Sequence, residues 1–275
     1  MVKTKLILAA ATALMLSVQL SAQDFSWTAV PMDGHLTGTS VPNPENVDKA
    51  LGSVKGKIYY APNGRKLKGS VAATAALMIA AQPDMAAVKE YLGNAPHTLV
   101  RRHPESEISN LVVDRIMAKT EEVTGRRVDV GLTNFGGLRC DIPEGDVLVE
   151  DVMSLLPFYN YLSYVSLKGK DLRAIFEQFT TTGIQVVGGV ELVYRDNALE
   201  SALIGGEPID DEKTYGLATI DFLLDGGDHI YAAKNAQELI LTEVLVRDSL
   251  IPYLRQLTAE GKPIEYKTDG RVKVL

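Results

Sequence analysis

Helix-patterned and strand-patterned segments follow one another along this chain without strict alternation, and that order limits the fold more than any other feature. Glu105–Glu122 places Ile108, Leu111, Val112 and Ile116 at helical spacing, with Glu105, Glu107, Asp114 and Lys119 mostly off that stripe. Lys170–Thr180 repeats the pattern with Leu172, Ile175, Phe176 and Phe179. Arg127–Thr133 alternates and is rich in β-branched residues, so it predicts a strand; Tyr161–Leu167, Val190–Tyr194, Ala202–Ile204, Tyr215–Ile220 and Arg271–Leu275 read the same way. Ser70–Gln82 is apolar nearly all round and predicts a buried helix stopped by Pro83. Further helices are expected at Met85–Leu92, with Gly93 as its stop, at Val149–Leu156, and at Leu241–Ala259 with an interruption near Pro252. Such a succession favours an α+β domain, mixed sheets packed with helices, over a doubly wound one.

The ends of the chain carry a different signal. Lys3 and Lys5 precede an uncharged apolar run from Leu6 to Val18, and Leu20-Ser21-Ala22 ends in a small residue. This is the layout of a secretory signal peptide over residues 1–22, cleaved after Ala22. The run is too short to span a bilayer core of roughly 30 Å. Loss of the 22 residues and their two lysines would leave 253 residues with net charge −9, exported to a periplasmic or extracellular location with no membrane attachment. Residues 23–83 are rich in turn formers (Pro31, Gly34, Pro42, Pro44, Gly52, Gly56, Pro62, Gly64) and are expected to form a loop-rich segment packed on a main domain of residues 84–275, with short strands such as Lys57–Tyr60.

Composition removes several function classes. Lys and Arg number 28 against 35 Asp and Glu, so an acidic surface gives no electrostatic reason to expect nucleic acid. Cys140 is the single cysteine, which excludes an internal disulfide and a cysteine-based metal cluster. The histidines are His35, His97, His103 and His229, little material for a metal centre. No spacing joins Asp33, His35, His103 and His229, the residues from which an autonomous hydrolytic centre would have to be built.

Three segments carry chemistry. Asn134-Phe135-Gly136-Gly137-Leu138-Arg139 follows a predicted strand. Its glycines permit a sharp turn and close approach of a ligand. Arg139 can grip an anion with its guanidinium fork, and Asn134 offers donor and acceptor. The same pattern also fits a plain tight turn with a surface arginine. In Leu156-Pro157-Phe158-Tyr159-Asn160, Phe158 is either a stacking face for a flat ring or an ordinary core residue. Asp221–Asp228 follows another predicted strand. There Phe222 offers a second aromatic face, Gly226 and Gly227 allow close approach, and Asp228 can accept from ligand hydroxyls. Asp225 and Asp228 disfavour a phosphate cradle, and the spacing lacks the further ligands of a calcium loop.

Taken in order and spacing, these segments resemble the C-terminal domain of the 5'-nucleotidase family. That family carries an N-x-G-G-[IL]-R segment, an acidic-Gly stretch, an L-P-F-x-N segment and an F-x-x-x-G-G-D loop, matched here by Asn134–Arg139, Glu144-Gly145-Asp146, Leu156–Asn160 and Phe222–Asp228. A family stretch with an arginine ahead of a helix bearing G-N-L-x-x-D is matched by Arg102 and Ser109–Asp114. The resemblance covers about residues 84–275. It implies that Phe158 and Phe222 sandwich a base, that Arg102 and Arg139 hold phosphate, and that Asn134 and Asp228 hydrogen-bond the nucleoside, with Gly136, Gly137, Gly226 and Gly227 shaping the turns. Two positions depart from the pattern: Phe135 stands for a glycine of the turn, and His229 for the glycine after the acid. Each adds bulk at the pocket wall.

In that family the hydrolytic work belongs to an N-terminal metallophosphoesterase domain, whose D-x-H, G-N-H-[DE] and G-H-x-H motifs hold two metals. Asp33-Gly34-His35 formally reads D-x-H but stands alone, and Leu92–His97 contains no G-N-H. The resemblance therefore implies no cofactor and no catalytic residue in this chain. It implies nucleotide recognition for phosphate ester hydrolysis in nucleotide catabolism, with divalent metals on a partner metallophosphoesterase supplied as a separate chain. The alternative is a stand-alone exported module that binds nucleotides or nucleosides without hydrolysing them.

Overall fold

The computed structural model describes residues 44–275. The signal segment 1–22, Asp33, His35 and the first part of the 23–83 segment lie outside the described residues. The chain enters through a short helix α1 (Val47–Ala50) and an antiparallel sheet of β1 (Ser53–Lys55), β2 (Ile58–Tyr60) and β3 (Lys66–Leu67). Helix α2 (Ser70–Ala80) rests against β1 and β2. Its expected burial is not observed: Ala72 alone is buried, and Leu77 is 73% exposed. Three short strands are too small a surface to cover a helix that is apolar on every side.

A 3-10 turn, Ala86–Lys89, replaces the helix expected at Met85–Leu92 and leads into β4 (Tyr91–Ala95). Gly93 is therefore no helix stop but a close approach inside a strand. It has a φ of +151°, and a Cβ there would stand 2.9 Å from Ile264 Cδ1 and collide with Thr258 Oγ1.

Helix α3 (Glu107–Thr124) begins at Ser106, whose hydroxyl accepts from Ser109 N while Ser109 Oγ accepts from Ser106 N, and it ends at the left-handed Gly125. Then come β5 (Val130–Thr133), β6 (Gly145–Leu148), α4 (Val149–Leu155), β7 (Tyr161–Lys168) and α5 (Gly169–Thr182). They are followed by β8 (Val186–Gly188), β9 (Val190–Arg195), β10 (Ala198–Ile204), β11 (Glu207–Pro208) and β12 (Thr214–Ile220). The chain closes with β13 (Glu238–Leu245), α6 (Arg247–Ala259) and β14 (Val272–Val274).

The main sheet runs β13-β7-β12-β5-β8, with β5 and β12 parallel and the other pairs antiparallel. A second sheet runs β11-β10-β9-β14, and β4 pairs with β6. Mixed sheets with helices packed on them are the expected α+β arrangement. Helix α3 seats on the main sheet where side chains are missing: a Cβ on Gly131 would lie 2.6 Å from Met117 Cγ, and one on Gly188 2.7 Å from Met117 Sδ. Helix α5 joins the two sheets through buried Phe176 and Phe179. Tyr194 Oη donates to the Phe176 carbonyl at 2.8 Å.

The helix expected from Leu241 is a strand as far as Leu245. Leu239, Leu241 and Glu243 face outward between the partly covered Ile240, Thr242 and Val244, a period of two that the leucine and glutamate content disguises. Beyond it α6 runs unbroken past Pro252.

The Ser109–Asp114 stretch turns out to anchor the C-terminus. Asp114 accepts from Arg271 Nη1 at 2.8 Å and from Tyr266 Oη at 2.7 Å, while Asp269 Oδ2 accepts from Arg271 Nη2 at 2.7 Å. One helical turn earlier, Asn110 donates to Glu105 Oε1, which also accepts from Asp269 N. Asn110 and Asp114 thus lie on one face of α3 and hold residues 266–271 against it.

Candidate functional site

Parallel neighbours β5 and β12 end on the same edge of the main sheet, and antiparallel β7 begins there, with Leu162 opposite Ile220. This register brings the three chemically marked segments together: Asn134–Arg139 leaves β5, Asp221–His229 leaves β12, and Pro157–Asn160 enters β7. Asp221 pins two of them, since its Oδ1 accepts from Tyr161 N at 3.0 Å and from Phe222 N at 2.9 Å. Asn134 Nδ2 donates to Asp228 Oδ2 at 2.7 Å and joins the β5 turn to the β12 turn across 94 residues.

Both paired glycines are there for close approach. A Cβ on Gly137 would sit 2.8 Å from Asn134 Oδ1. One on Gly227 would sit 2.8 Å from the Phe222 ring and would overlap the Phe222 carbonyl. Gly226 takes a φ of +102° with the Tyr231 ring against it, and Gly136 lies exposed beside Asn134 and Asp228.

Phe158 and Phe222 are 48% and 46% exposed, so neither is an ordinary core residue. The Arg139 guanidinium stands 5.8 Å from the centre of the Phe158 ring, and Arg139 Nη1 donates to the Gly136 carbonyl at 3.3 Å. Arg102 is exposed and makes no hydrogen bond or ion pair with another described residue.

Beside the turns opens a cleft of about 530 Å³ lined by Arg101, His103, Phe135, Gln185, Asp228 and His229 among others. Two residues that the sequence did not single out, Arg101 and Gln185, help build its wall. Arg101 Nη1 donates to the Phe135 and Leu138 carbonyls at 3.2 and 3.0 Å, and Gln185 Oε1 accepts from Phe135 N at 3.0 Å. The Phe135 ring is buried under the His103 ring at 3.8 Å. Burial, and then the Arg101 charge, lower the His103 pKa, which favours its neutral form. His103 and His229, unrelated by spacing, line this one cleft. Neighbouring arginines look alike in a sequence, so Arg101 carried no mark beside Arg102, and nothing marked Gln185.

Asp228 and His229 have φ of +46° and +64°, and Gln178 Nε2 holds the His229 carbonyl at 2.6 Å. A side chain in the left-handed region costs about 1–2 kcal/mol, partly recovered because glycine loses more entropy on folding. His229→Gly is accordingly expected to stabilise the chain by about 0.5–1 kcal/mol, read from the midpoint of a urea titration.

Among the described residues no group of three or more His, Cys, Asp or Glu side chains is placed to hold a metal ion. Burial, then Asp151 and Asp141, push the Cys140 thiol up to about 11, which leaves it protonated and unreactive near neutrality. No helix among the described residues is long and apolar enough to cross a membrane.

The family model for the 5'-nucleotidase C-terminal domain matches residues 85–235. The trifunctional nucleotide phosphoesterase protein YfkN of Bacillus subtilis is 27% identical over 191 residues, 62% of this chain and 12% of that protein. The protein UshA of Escherichia coli is 30% identical over 146 residues, 51% of this chain and 26% of that one. The crystal structure of the 5'-nucleotidase precursor from Thermus thermophilus superposes with a TM-score of 0.66 at 26% identity, over 80% of this chain and 50% of its own. The chain thus spans half or less of the length of the relatives it matches. With more than half of its residues inside the family model, and three of its motif segments gathered at one edge of the main sheet, the chain belongs to the 5'-nucleotidase C-terminal domain family.

Proposed function

We propose that this exported chain recognises the nucleotide in 5'-nucleotidase-type phosphate ester hydrolysis, and that a metallophosphoesterase on a separate chain carries out the cleavage. The observation behind this reading is the pair of half-exposed rings, Phe158 and Phe222, on segments tied to one sheet edge by Asp221. Large aromatic side chains left half in water on pinned segments suit stacking against a base, worth about 1–3 kcal/mol per base.

The neighbouring groups fit the rest of a nucleotide. Asp228 keeps Oδ1 for a sugar hydroxyl while Oδ2 is engaged by Asn134. Arg139 and Arg102 are exposed and supply charge for a phosphate. Divalent metals on the partner would activate water and clamp the displaced oxygens. This chain's own residues bind and orient the ester.

The reading is tested by an assay of phosphate release from a nucleoside 5'-monophosphate, with the chain alone, an exported metallophosphoesterase alone, and the two mixed. The mixture should hydrolyse it at least about tenfold faster than the sum of the separate proteins, because the base and phosphate contacts lower the barrier only when both chains are present. A mixture no faster than that sum would contradict it and leave a binding module without a catalytic partner.

A further inference from the structure

The nucleotide contacts proposed above leave the cleft beside them unused. Gly136, Gly226 and Asp228 in its lining belong to the nucleotide turns, but Arg101, His103, Thr182, Gln185 and His229 have no part in that reading. The polar groups these residues leave free are mostly hydrogen-bond donors. Arg101 spends Nη1 on the Phe135 and Leu138 carbonyls, while its Nη2 and Nε have no partner among the described residues and its guanidinium makes no ion pair there. Gln185 is only 7% exposed. Its Oε1 is fixed on Phe135 N, so the amide has only its Nε2 donor left to offer. Burial and Arg101 favour neutral His103, so the permanent positive charge in the cleft is that of Arg101. Asp228 is the one carboxylate in the lining, and its Oδ2 is already held by Asn134.

A donor-rich cleft with an unpaired guanidinium suits an oxyanion. Its cation and its carboxylate flank one turn. Arg101 holds the Phe135 carbonyl, and on the next residue, Gly136, a Cβ would stand 3.5 Å from Asp228 Oδ2. A ribose hydroxyl on Asp228 therefore sets the neighbouring hydroxyl at the mouth of the cleft. We propose that the cleft binds a second phosphate carried on a ribose hydroxyl, so that the chain prefers nucleoside 3',5'-bisphosphates to 5'-monophosphates. The inference rests on the functional reading above, which supplies the hydroxyl contact at Asp228. It adds the class of nucleotide.

The test is calorimetry on the full chain at one fixed salt concentration, with adenosine 5'-monophosphate, adenosine 3',5'-bisphosphate and adenosine 5'-diphosphate. Wild type should bind the bisphosphate about tenfold or more tighter than the monophosphate, and in Arg101→Gln that ratio should fall to within about twofold of one. A ratio is read because any general loss at the base site cancels in it. Arg101 also clamps two carbonyls, so Thr182→Glu serves as a second variant. It leaves the clamp in place, puts a negative charge on the cleft wall and should lower the same ratio at least severalfold.

Equal affinity of wild type for bisphosphate and monophosphate would overturn the second phosphate site while leaving the functional reading intact. A preference that survives both variants would overturn its assignment to this cleft. So would an equal fall in the diphosphate-to-monophosphate ratio, because that extra phosphate lies at the 5' end. Absence of binding by any of the three nucleotides would overturn both the site and the functional reading.

Discussion

Arg271→Ala is expected to destabilise the chain by about 3 kcal/mol, a drop of roughly 6–12 °C in Tm for a domain of this size. The Arg271 side chain is 9% exposed and bridges Asp114 on α3 to Asp269 on the C-terminal segment. Without it Asp114, 23% exposed, keeps only the Tyr266 hydroxyl as hydrogen-bond partner among the described side chains. Uncompensated charge of this kind costs more than the pair itself contributes. Because Asp269 is nearly half exposed, the loss falls at the low end of the range for buried pairs.

Arg271→Lys should lie between the two, since an ammonium cannot reproduce the forked contact. The effect has a pH signature. The hydrogen bond from Arg271 holds the Asp269 carboxyl below the usual carboxylate range. A depressed folded pKa contributes stability that is present above the unfolded value of about 3.9 and fades as pH falls through the lower folded value. The advantage of wild type over Arg271→Ala should therefore shrink below about pH 4. A loss under 0.5 kcal/mol at pH 7, by urea titration, would contradict the anchoring role given to Asn110 and Asp114.

Gly227→Ala should lower nucleotide affinity by about 30-fold or more, equivalent to about 2 kcal/mol. The added Cβ would stand 2.8 Å from the Phe222 ring and overlap the Phe222 carbonyl, so both the turn and the ring must move. Overpacking of this kind costs about 1–3 kcal/mol in stability and here falls on one wall of the proposed base site. Gly136→Ala is the informative contrast. Its Cβ would meet Asn134 Nδ2 at 3.2 Å and Asp228 Oδ2 at 3.5 Å, contacts that small shifts relieve. Its effect should be several-fold smaller, and calorimetry on the two variants reads the order. If Gly227→Ala binds as wild type does, Phe222 is not a wall of the site.

Long amphipathic elements were legible in the sequence because one face of each meets the core. Helices α3 and α5 and strands β5, β7 and β12 lie within a few residues of their predicted bounds. Short or disguised strands were not. Tyr91–Ala95 contains Gly93, which propensity reads as a stop, yet Thr258 and Ile264 press on it from a segment far along the chain. In Glu238–Leu245 a helix-forming composition gives way to cross-strand pairing with β7. Burial of α2 was inferred from its apolar character alone, which states what the helix can bury but not that a neighbour large enough is present.

At the site, Asn134, Phe158, Phe222 and Asp228 sat in recognisable motifs, and the sheet register brings their segments to one edge. Arg101, Gln185 and Gln178 act through contacts with Phe135, Leu138 and His229 that are long-range in sequence, and no local pattern encodes them. Phe135, read as added bulk at the pocket wall, lines the cleft and packs beneath His103.

The most direct test of nucleotide recognition is calorimetric titration of the purified chain with adenosine monophosphate, beside Phe158→Ala and Phe222→Ala. Both rings are surface-exposed by nearly half, so the variants should fold, confirmed by an unchanged Tm. The account predicts binding by wild type and a loss of about fivefold or more in each variant, the low end of base–aromatic stacking. No binding by wild type, or unchanged affinity in both variants, would contradict it.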